Sequence, residues 1–364
     1  MTEYLDMAAT TPVSQRVADV VMHFMTVEFG NSGSRTHAWG SEAKKAVARS
    51  RERIASEVSA RPEEVIFTSG ATESDNLAIQ GLARFGLESG RTHVLSCATE
   101  HKAVLEPLKR LASLGFDVEL MKPGTSGVLE VGDVLNRVRE STLLVSLMHV
   151  NNETGVIQPV GDIARQLVQT RTYLHVDAAQ SFTKVEPEVL AGPIDLVSMS
   201  GHKIGAPKGI GALVVRRRGW DKLPLEPLLV GGGQERGLRA GTLPVALIAG
   251  FAEAVRERSE TRHEWVLESA QRKQDLLDWA LPFGAEVNGS AERVAPHIVN
   301  LYFPGRDSEA LILELQDEMA VATGSACTSA TYTPSHVLKA MGFDDGRAES
   351  SLRFSWDGSQ RIAR

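Results

Sequence analysis

Lys203 is the residue of this sequence whose type and position most clearly offer chemistry. It comes just after an apolar run and just before a glycine-rich stretch. Lysine is almost never buried without a partner or a purpose, and a lysine in a cleft loses its proton readily and forms a Schiff base with a carbonyl. The residues alone leave open a second interpretation, a surface lysine at the end of a strand.

Asp177 is a candidate acid that would act together with such a lysine. Pyridoxal phosphate needs a lysine that captures its carbonyl and an acid that keeps its pyridine nitrogen protonated. A helix N-cap is the structural alternative for this aspartate.

Gly70-Ala71-Thr72 opens a predicted helix whose first N–H groups suit one phosphate, and Ser200 and His202 are candidate side-chain donors to it. The chain has no Gly-x-x-x-x-Gly-Lys-Ser/Thr loop, which disfavours a nucleoside triphosphate.

Three further residues have chemistry of their own. His101 precedes an apolar helix, where it is suited to stacking on a planar ring or to proton transfer, and a structural histidine is an equal alternative. Cys97 ends an apolar strand and is interpreted as a small core residue. Cys327 lies in a run rich in Gly, Ser and Thr, which predicts an accessible and therefore reactive thiol. An incidental free cysteine is the alternative there.

A sheet must position most of these residues, because they follow predicted strands, whereas Cys327 lies in a predicted loop. The strands are short, continuous apolar runs separated by helical stretches, a pattern typical of a parallel, doubly wound α/β sheet. The predicted strands are 65–68, 94–96, 143–150, 173–176, 196–199 and 211–215, with helices at 41–56 and 163–169. Since the carboxyl ends of parallel strands meet at one edge, Asn152, Asp177, Gln180, Lys203 and His101 are expected to share one cleft.

A smaller α+β unit is predicted after a long charged helix from about Pro244 to Trp279. Its strands are 298–303 and 351–355, and its helices are 308–316 and 334–341. We assign residues 14–258 to a large domain, and residues 1–13 and 259–364 to a small domain that carries the cysteine loop.

Composition narrows the class of protein. The 364 residues carry 39 Lys+Arg against 46 Asp+Glu, a net charge of −7, and 2 Cys. Two cysteines exclude a disulfide framework and a Cys-rich zinc site, and we predict no metal site. The negative charge argues against direct binding of nucleic acid. The N-terminus lacks a signal peptide and no apolar run spans a membrane, so a reducing cytoplasm is the expected location.

The motifs resemble those of the pyridoxal-phosphate-dependent cysteine desulfurases, which are class-V aminotransferases of fold type I. The resemblance extends from Tyr4 to Ser355, and its last motif is similar to the long-loop subgroup. The motifs that carry it are Thr68-Ser69-Gly70-Ala71-Thr72-Glu73-Ser74-Asp75-Asn76, Thr99-Glu100-His101-Lys102-Ala103-Val104, His149-Val150-Asn151-Asn152-Glu153, Ser200-Gly201-His202-Lys203 and Gly324-Ser325-Ala326-Cys327-Thr328-Ser329.

The resemblance implies a role for each site residue. Lys203 would bind the cofactor covalently, Asp177 would pair with its ring nitrogen, His101 would stack on the ring, and Cys327 would carry a persulfide. The other implied contacts are Gln180 and Asn152 near the ring hydroxyl or substrate carboxylate, Thr72, Ser200 and His202 at the phosphate, Thr242 at the phosphate of the neighbouring subunit of a homodimer, and Arg353 with Asn31 at the substrate carboxylate.

The implied function is conversion of L-cysteine to L-alanine, with sulfur passed through Cys327 to an acceptor protein. Finer segments, such as Gly205-Ala206-Pro207-Lys208, look most like the desulfurases of bacterial DNA-phosphorothioation systems. Sulfur supply for iron–sulfur clusters or thionucleosides, and a selenocysteine lyase or aminotransferase of the same fold, are alternatives. An inactive sulfur-relay or scaffold protein is the non-enzymatic alternative, and the presence of both Lys203 and Cys327 argues against it.

Overall fold

The computed structural model describes residues 2–323 and 334–358. The strands in this part of the chain are β1 (Glu3–Tyr4), β2 (Val65–Thr68), β3 (His93–Cys97), β4 (Asp117–Met121), β5 (Thr142–Met148), β6 (Tyr173–Asp177), β7 (Leu196–Ser200), β8 (Gly211–Val215), β9 (Glu286–Val287), β10 (Ile298–Tyr302), β11 (Met319–Ala320) and β12 (Ser351–Ser355). The α-helices are α1 (Gln15–Thr26), α2 (Ala38–Glu57), α3 (Ala71–Gln80), α4 (Ala83–Ser89), α5 (Lys102–Ser113), α6 (Val131–Arg137), α7 (Val160–Leu167), α8 (Pro187–Leu190), α9 (Val245–Ala280), α10 (Ser308–Leu315), α11 (His336–Ala340) and α12 (Asp345–Glu349).

The central sheet has seven strands in the order β2-β8-β7-β6-β5-β3-β4. Six of the seven strands run in the same direction, and β8, between β2 and β7, runs in the opposite direction. The prediction of a mostly parallel sheet is therefore confirmed. The predicted strands are present with bounds that differ by one or two residues. The sequence analysis missed β4, because this edge strand is half-exposed and polar and buries only Met121 fully.

Helices cover both faces of the central sheet, which explains why the sequences of its strands are nearly continuous apolar runs. Val94 and Leu144 belong to a core that α3, α4 and α5 complete on one face. Their chain neighbours Leu95 and Val145 belong to a second core under α1, α2, α7 and α9 on the other face. Because successive side chains of a strand point to opposite faces, consecutive positions of these strands are buried and most of them are apolar.

A second sheet follows the long helix α9. Strands β12, β10 and β9 form it in that order, all antiparallel, and β1 pairs in parallel with β11 beside it. The first half of α9 buries Ile248 and Phe251 in the larger core, whereas Leu276 near its end packs with Phe354 and Trp356 of the smaller one. The predicted boundary between the large and the small domain, at residues 258 and 259, stays a prediction. It falls inside α9, which is one continuous helix of 36 residues.

None of the helices in the described part of the chain combines the length and the apolar character that crossing a membrane requires.

Gly211 is required where three chain segments converge at the carboxyl edge of the sheet. A Cβ atom at this position would lie 2.4 Å from the carbonyl oxygen of Met199 and 2.6 Å from Cα of Gly70. Both of these atoms belong to backbone, so relieving the clash would have to move β7 or the start of α3.

We expect Gly211→Ala to destabilise the protein by about 1–3 kcal/mol, since overpacking of this size has that cost in close-packed interiors. The matched control is Gly132→Ala in α6, where a Cβ atom meets nothing within 4 Å. Apparent melting temperatures at a fixed cofactor concentration would measure both changes. A Gly211→Ala melting temperature equal to that of Gly132→Ala would contradict the argument.

Candidate active site

The carboxyl ends of the central strands enclose a cavity of about 530 Å³. Segments that follow β2, β3, β5, β6 and β7 all contribute to its wall, as the sequence predicts for a parallel sheet. The predicted site residues that line it are Thr72, His101, Asn152, Asp177, Gln180, Ser200, His202, Lys203 and Arg353. A larger cavity of about 1260 Å³ lies elsewhere, around Arg91 and Tyr173, and contains none of these residues.

Lys203 ends a short 3-10 turn, Gly201–Lys203, that comes directly after β7. Its ammonium group donates to the carbonyl oxygens of Ala8 at 2.5 Å and Ala9 at 2.8 Å. Gln180 Nε2 donates to the same Ala8 oxygen at 2.9 Å. The lysine therefore lies in a cavity rather than on an open surface, and the N-terminal segment holds it there.

Asp177 is the last residue of β6, and its Oδ1 accepts a hydrogen bond from the N–H of Ala179 at 2.8 Å. No helix begins directly after it, so the helix N-cap alternative is wrong. Burial, and then the nearby carboxyl of Asp75, raise the pKa of Asp177 to about 7, although Lys203 partly counters the shift. A cationic partner in the cavity would therefore stabilise the ionised form of Asp177.

Several polar atoms of the cavity wall are buried without a hydrogen-bond partner among the described residues. They are Oδ1 of Asn152, Oε1 of Gln180 and Nε of Arg353. Buried polar atoms in native proteins are nearly always paired, and each exception calls for an explanation. All three atoms belong to residues of the cavity wall, so a polar ligand there is the explanation that we test.

Two neutral histidines face this cavity. His101 caps α5, since its Nδ1 accepts from the N–H of Ala103 at 3.1 Å. Burial, followed by the charge of Lys203, lowers the pKa of both His101 and His202 to about 4. Because Nδ1 of His101 is an acceptor, its proton lies on Nε2, and the ring meets the cavity as an uncharged donor. Because His101 caps α5, it has a structural role as well, which was the alternative interpretation of this histidine.

Thr72, Ser200 and His202 lie at the end of the cavity where α3 begins. Gly70 precedes this helix at φ 156°, a backbone conformation that favours glycine. The N–H groups of the first turn of a helix are unpaired within the helix and attract an anion. Together with the Ser200 hydroxyl, they form a region suited to a phosphate group.

Arg353 lies on β12 with only 2% of its surface exposed. Its guanidinium donates to Oδ1 of Asp6 at 2.6 Å and to the backbone oxygen of Asn152 at 3.1 Å. These contacts fix the plane of the guanidinium against the cavity. A guanidinium held in this way is suited to binding a carboxylate.

Of the two cysteines, the structure describes Cys97 but not Cys327. Cys97 is fully buried, so the prediction of a small core residue is confirmed, and burial raises the pKa of its thiol to about 12. Cys327 lies outside the described residues. On either side of the undescribed segment, the chain contacts a residue of the cavity wall or the neighbour of one. Ala322 exchanges backbone hydrogen bonds with Arg353, and Ser335 donates to the buried carboxyl of Glu153 at 2.5 Å.

The structure does not bring Asn31 and Thr242 to the cavity of the single chain. Both residues are exposed, and neither is part of the cavity wall. The side-chain oxygen of Asn31 instead accepts from the N–H of Gly33 at 2.8 Å. Their predicted roles stay predictions, and for Thr242 the predicted contact is with a second subunit.

Sequence reasoning missed some of the cavity wall. Ala8 and Ala9 hold Lys203, and nothing in an alanine pair predicts a role for its backbone. The sequence motif assigns no role to Asp75, although Asp75 follows Ala71 and Thr72 by one helical turn and so lies on the same face of α3 as these two residues of the cavity wall. The periodicity of the helix was therefore the signal that could have identified it.

Comparisons with known proteins agree with this geometry. A family model described as aminotransferase class-V matches residues 3–357. Cysteine desulfurase IscS from Vibrio campbellii is 46% identical over 356 residues, which cover 97% of this chain and 87% of the relative. IscS from Photobacterium profundum is 44% identical with the same coverage.

Solved structures show the same likeness. DndA from Streptomyces lividans has 57% sequence identity and a TM-score of 0.87, with 97% of this chain and 99% of that chain covered. SspA in complex with cysteine has 36% identity and a TM-score of 0.86, with 98% and 99% covered. The chain therefore belongs to the class-V aminotransferase family and, within it, to the pyridoxal-phosphate-dependent cysteine desulfurases.

Proposed function

We propose that this protein converts L-cysteine to L-alanine and passes the sulfur through Cys327 to an acceptor protein. The observation that carries the proposal is the convergence of Lys203, Asp177 and Arg353 on one cavity of about 530 Å³. A primary amine, a buried acid and a guanidinium are the groups that a carbonyl cofactor and an amino-acid carboxylate require.

The cavity wall fits pyridoxal phosphate, the cofactor of this family. The unpartnered side-chain oxygens of Asn152 and Gln180 suit its ring substituents, and the start of α3 with Ser200 suits its phosphate. Asp177, whose charge burial disfavours, suits a protonated ring nitrogen. When bound, the cofactor supplies an electron sink for bond cleavage next to the amino-acid Cα.

The chain's own residues bind the substrate and move its protons. The Arg353 guanidinium orients the carboxylate of cysteine, and the Lys203 amine is placed to remove and return the Cα proton. His101 presents Nε2–H as a donor at the cavity wall. The contacts of Lys203 with Ala8 and Ala9 limit the positions that its amine occupies.

The sulfur transfer balances without an external oxidant. The thiolate of Cys327 attacks the sulfur of cysteine, an S–S bond forms and the C–S bond breaks, so that a persulfide and alanine are the products. Ala322, on one side of the undescribed segment, pairs with Arg353 of the cavity wall. Ser335, on the other side, bonds Glu153, the residue after Asn152 of that wall. These two contacts support the proposal that the Cys327 thiol reaches the substrate.

The functional form that we propose is a homodimer. Thr242 of one subunit would reach the phosphate end of its partner's cavity, which explains why it is exposed in the single chain. Large apolar residues are also exposed in the same parts of the chain, Phe29 and Trp39 near Asn31 and Val230 before Thr242. Exposed apolar surface of this kind marks protein interfaces.

DNA phosphorothioation is the pathway that we favour for the sulfur. The identity of 57% with DndA exceeds the 46% with IscS of Vibrio campbellii, and finer motifs of the sequence resemble the desulfurases of phosphorothioation systems. Sulfur supply for iron–sulfur clusters is the second candidate, because of the identity with IscS. The net charge of −7 favours acceptance of the sulfur by a protein rather than by DNA directly.

We expect Lys203→Ala to abolish the yellow absorbance of the bound cofactor, because the mutant has no amine to attach it. Lys109→Ala is the matched control, since Lys109 is an exposed lysine paired with Glu106. Absorbance spectra of the purified variants would test the assignment, and a wild-type spectrum from Lys203→Ala would refute it.

We expect Cys327→Ser to keep the yellow absorbance and to form no alanine or sulfide from cysteine. Cys97→Ala, which removes the buried thiol, should remain active. Mass spectrometry after addition of L-cysteine should place one added sulfur atom on Cys327. Normal turnover by Cys327→Ser, or added sulfur on Cys97 alone, would be incompatible with the persulfide role.

Sedimentation of the purified protein should give twice the chain mass of 39.4 kDa. A charge at Val230, which is 86% exposed, should shift the mass towards one chain, so Val230→Asp tests the interface. The control is Leu281→Asp, since Leu281 is also exposed but lies just beyond the end of α9. A monomeric wild type, or equal effects of the two substitutions, would argue against this dimer.

A further inference from the structure

A row of polar side chains crosses the middle of the central sheet, in a core that is otherwise apolar. His175 lies on β6, two residues before Asp177, and its Nδ1 is 2.8 Å from the hydroxyl of Ser146 on β5. Its Nε2 is 2.9 Å from the hydroxyl of Ser198 on β7. All three residues are fully buried. Burying a polar group is costly unless it is hydrogen-bonded, and both ring nitrogens of His175 meet that requirement through the two serines.

Asp75 lies over this row from the inner face of α3. Its Oδ1 is 3.4 Å from Nε2 of His175, and both side chains are fully buried. Neither of its oxygens makes a hydrogen bond of good geometry within the described residues. The same residue lines the cavity together with Asp177 and Lys203. Asp75 is thus a buried carboxyl at the cofactor site, and the mechanism above gives it no role.

Within the described residues, Asp75 forms no ion pair with a lysine or arginine side chain. His175 is neutral, because burial lowers its pKa to about 4. The acids nearby are Asp177 on β6 and Glu100 before α5, and Glu100 accepts a hydrogen bond from the N–H of Met148. Burial raises the pKa of Asp75 to about 7, and the hydroxyl of Ser198 counters that shift only partly.

Two close, buried carboxyls do not both ionise. Asp177 accepts a backbone hydrogen bond from the N–H of Ala179 at 2.8 Å and lies beside Lys203 in the cavity wall, whereas neither oxygen of Asp75 accepts a hydrogen bond of good geometry within the described residues. Asp177 is also the residue that faces a protonated ring nitrogen in the proposed function. The charge of the pair therefore belongs on Asp177, and the proton on Asp75.

We propose that Asp75 is held as a neutral carboxylic acid and that, with Ser198 and His175, it positions Asp177 and leaves Asp177 as the only anion of the pair. The proposal rests on the proposed function, because the anion needed at Asp177 is the partner of the cofactor. Asp75 touches no reacting atom in this account and is a positioning residue. In this arrangement the carboxyl of Asp75 faces the row that Ser198 and His175 form, with its Oδ1 3.4 Å from Nε2 of His175.

Infrared spectroscopy of the holoenzyme tests the protonation state directly. The difference between wild type and Asp75→Asn at neutral pH should contain the C=O band of a protonated carboxyl, present in wild type and lost in the variant. Glu100→Gln is the control, since it removes a different buried carboxyl and should leave the Asp75 band in place. A difference spectrum in which Asp75→Asn removes only ionised carboxylate bands would overturn the proposal.

Cofactor affinity tests the positioning role. The amide of Asp75→Asn is neutral and still donates, so this variant should bind pyridoxal phosphate as wild type does. Asp75→Leu has a similar size and no polar side-chain atom, and we expect it to bind about tenfold more weakly, because the buried polar group that faces His175 and Ser198 is lost. Equal affinity of Asp75→Leu and Asp75→Asn would show that Asp75 positions nothing.

Failure of the proposed function has a different signature. A wild type that does not bind the cofactor, or that forms no alanine from cysteine, would reject the desulfurase assignment. The infrared comparison of the cofactor-free proteins would still decide whether Asp75 is neutral. A wild type that does form alanine, with an ionised Asp75, would reject only this inference.

Discussion

Burial of polar and ionisable groups at the carboxyl edge of the central sheet is the constraint on which the rest of the structure depends. Asp75, Asp177 and Glu100 all have their pKa raised by burial, and the amide oxygens of Asn152 and Gln180 lack partners. Each unsatisfied buried group costs about 1–3 kcal/mol. A fold that keeps such a site must offset the cost elsewhere.

The two apolar cores provide that offset. Strands β3, β5, β6 and β7 are covered on both faces, so nearly every side chain in the middle of the sheet removes apolar surface from water. The same arrangement directs the polar residues to one place. Since both faces are occupied by helices, the open space that remains for a ligand is at the strand ends.

The sequence predicted the parts of the fold that depend on pattern. Continuous apolar runs identified the inner strands, and the polar residues that follow them identified Lys203 and Asp177. The edge strand β4 was missed because its exposed side chains show no apolar run. The contacts of Lys203 with Ala8 and Ala9 were not predictable, since backbone carbonyls carry no signal of residue type.

Asn31 and Thr242 mark a different limit. Their implied roles came from motifs, but the single chain leaves both residues outside the cavity wall. A site completed by a neighbouring subunit cannot be assembled from the geometry of one chain, whether that geometry comes from sequence or structure.

For His101, the structural and the functional interpretation are both correct, because this residue caps a helix and also faces the cavity.

The contact between the two ends of the chain has a consequence for biosynthesis. Arg353 bonds Asp6, and the hydroxyl of Ser355 accepts from the N–H of Ala8, across 347 positions in each case. Contacts between such distant residues form late, because the chain between them must first be made and folded. During synthesis, Lys203 is therefore in place before Arg353 has been made. A nascent chain that ends before residue 353 lacks the guanidinium that closes the substrate site, so its amine and its cavity wall are made at different times.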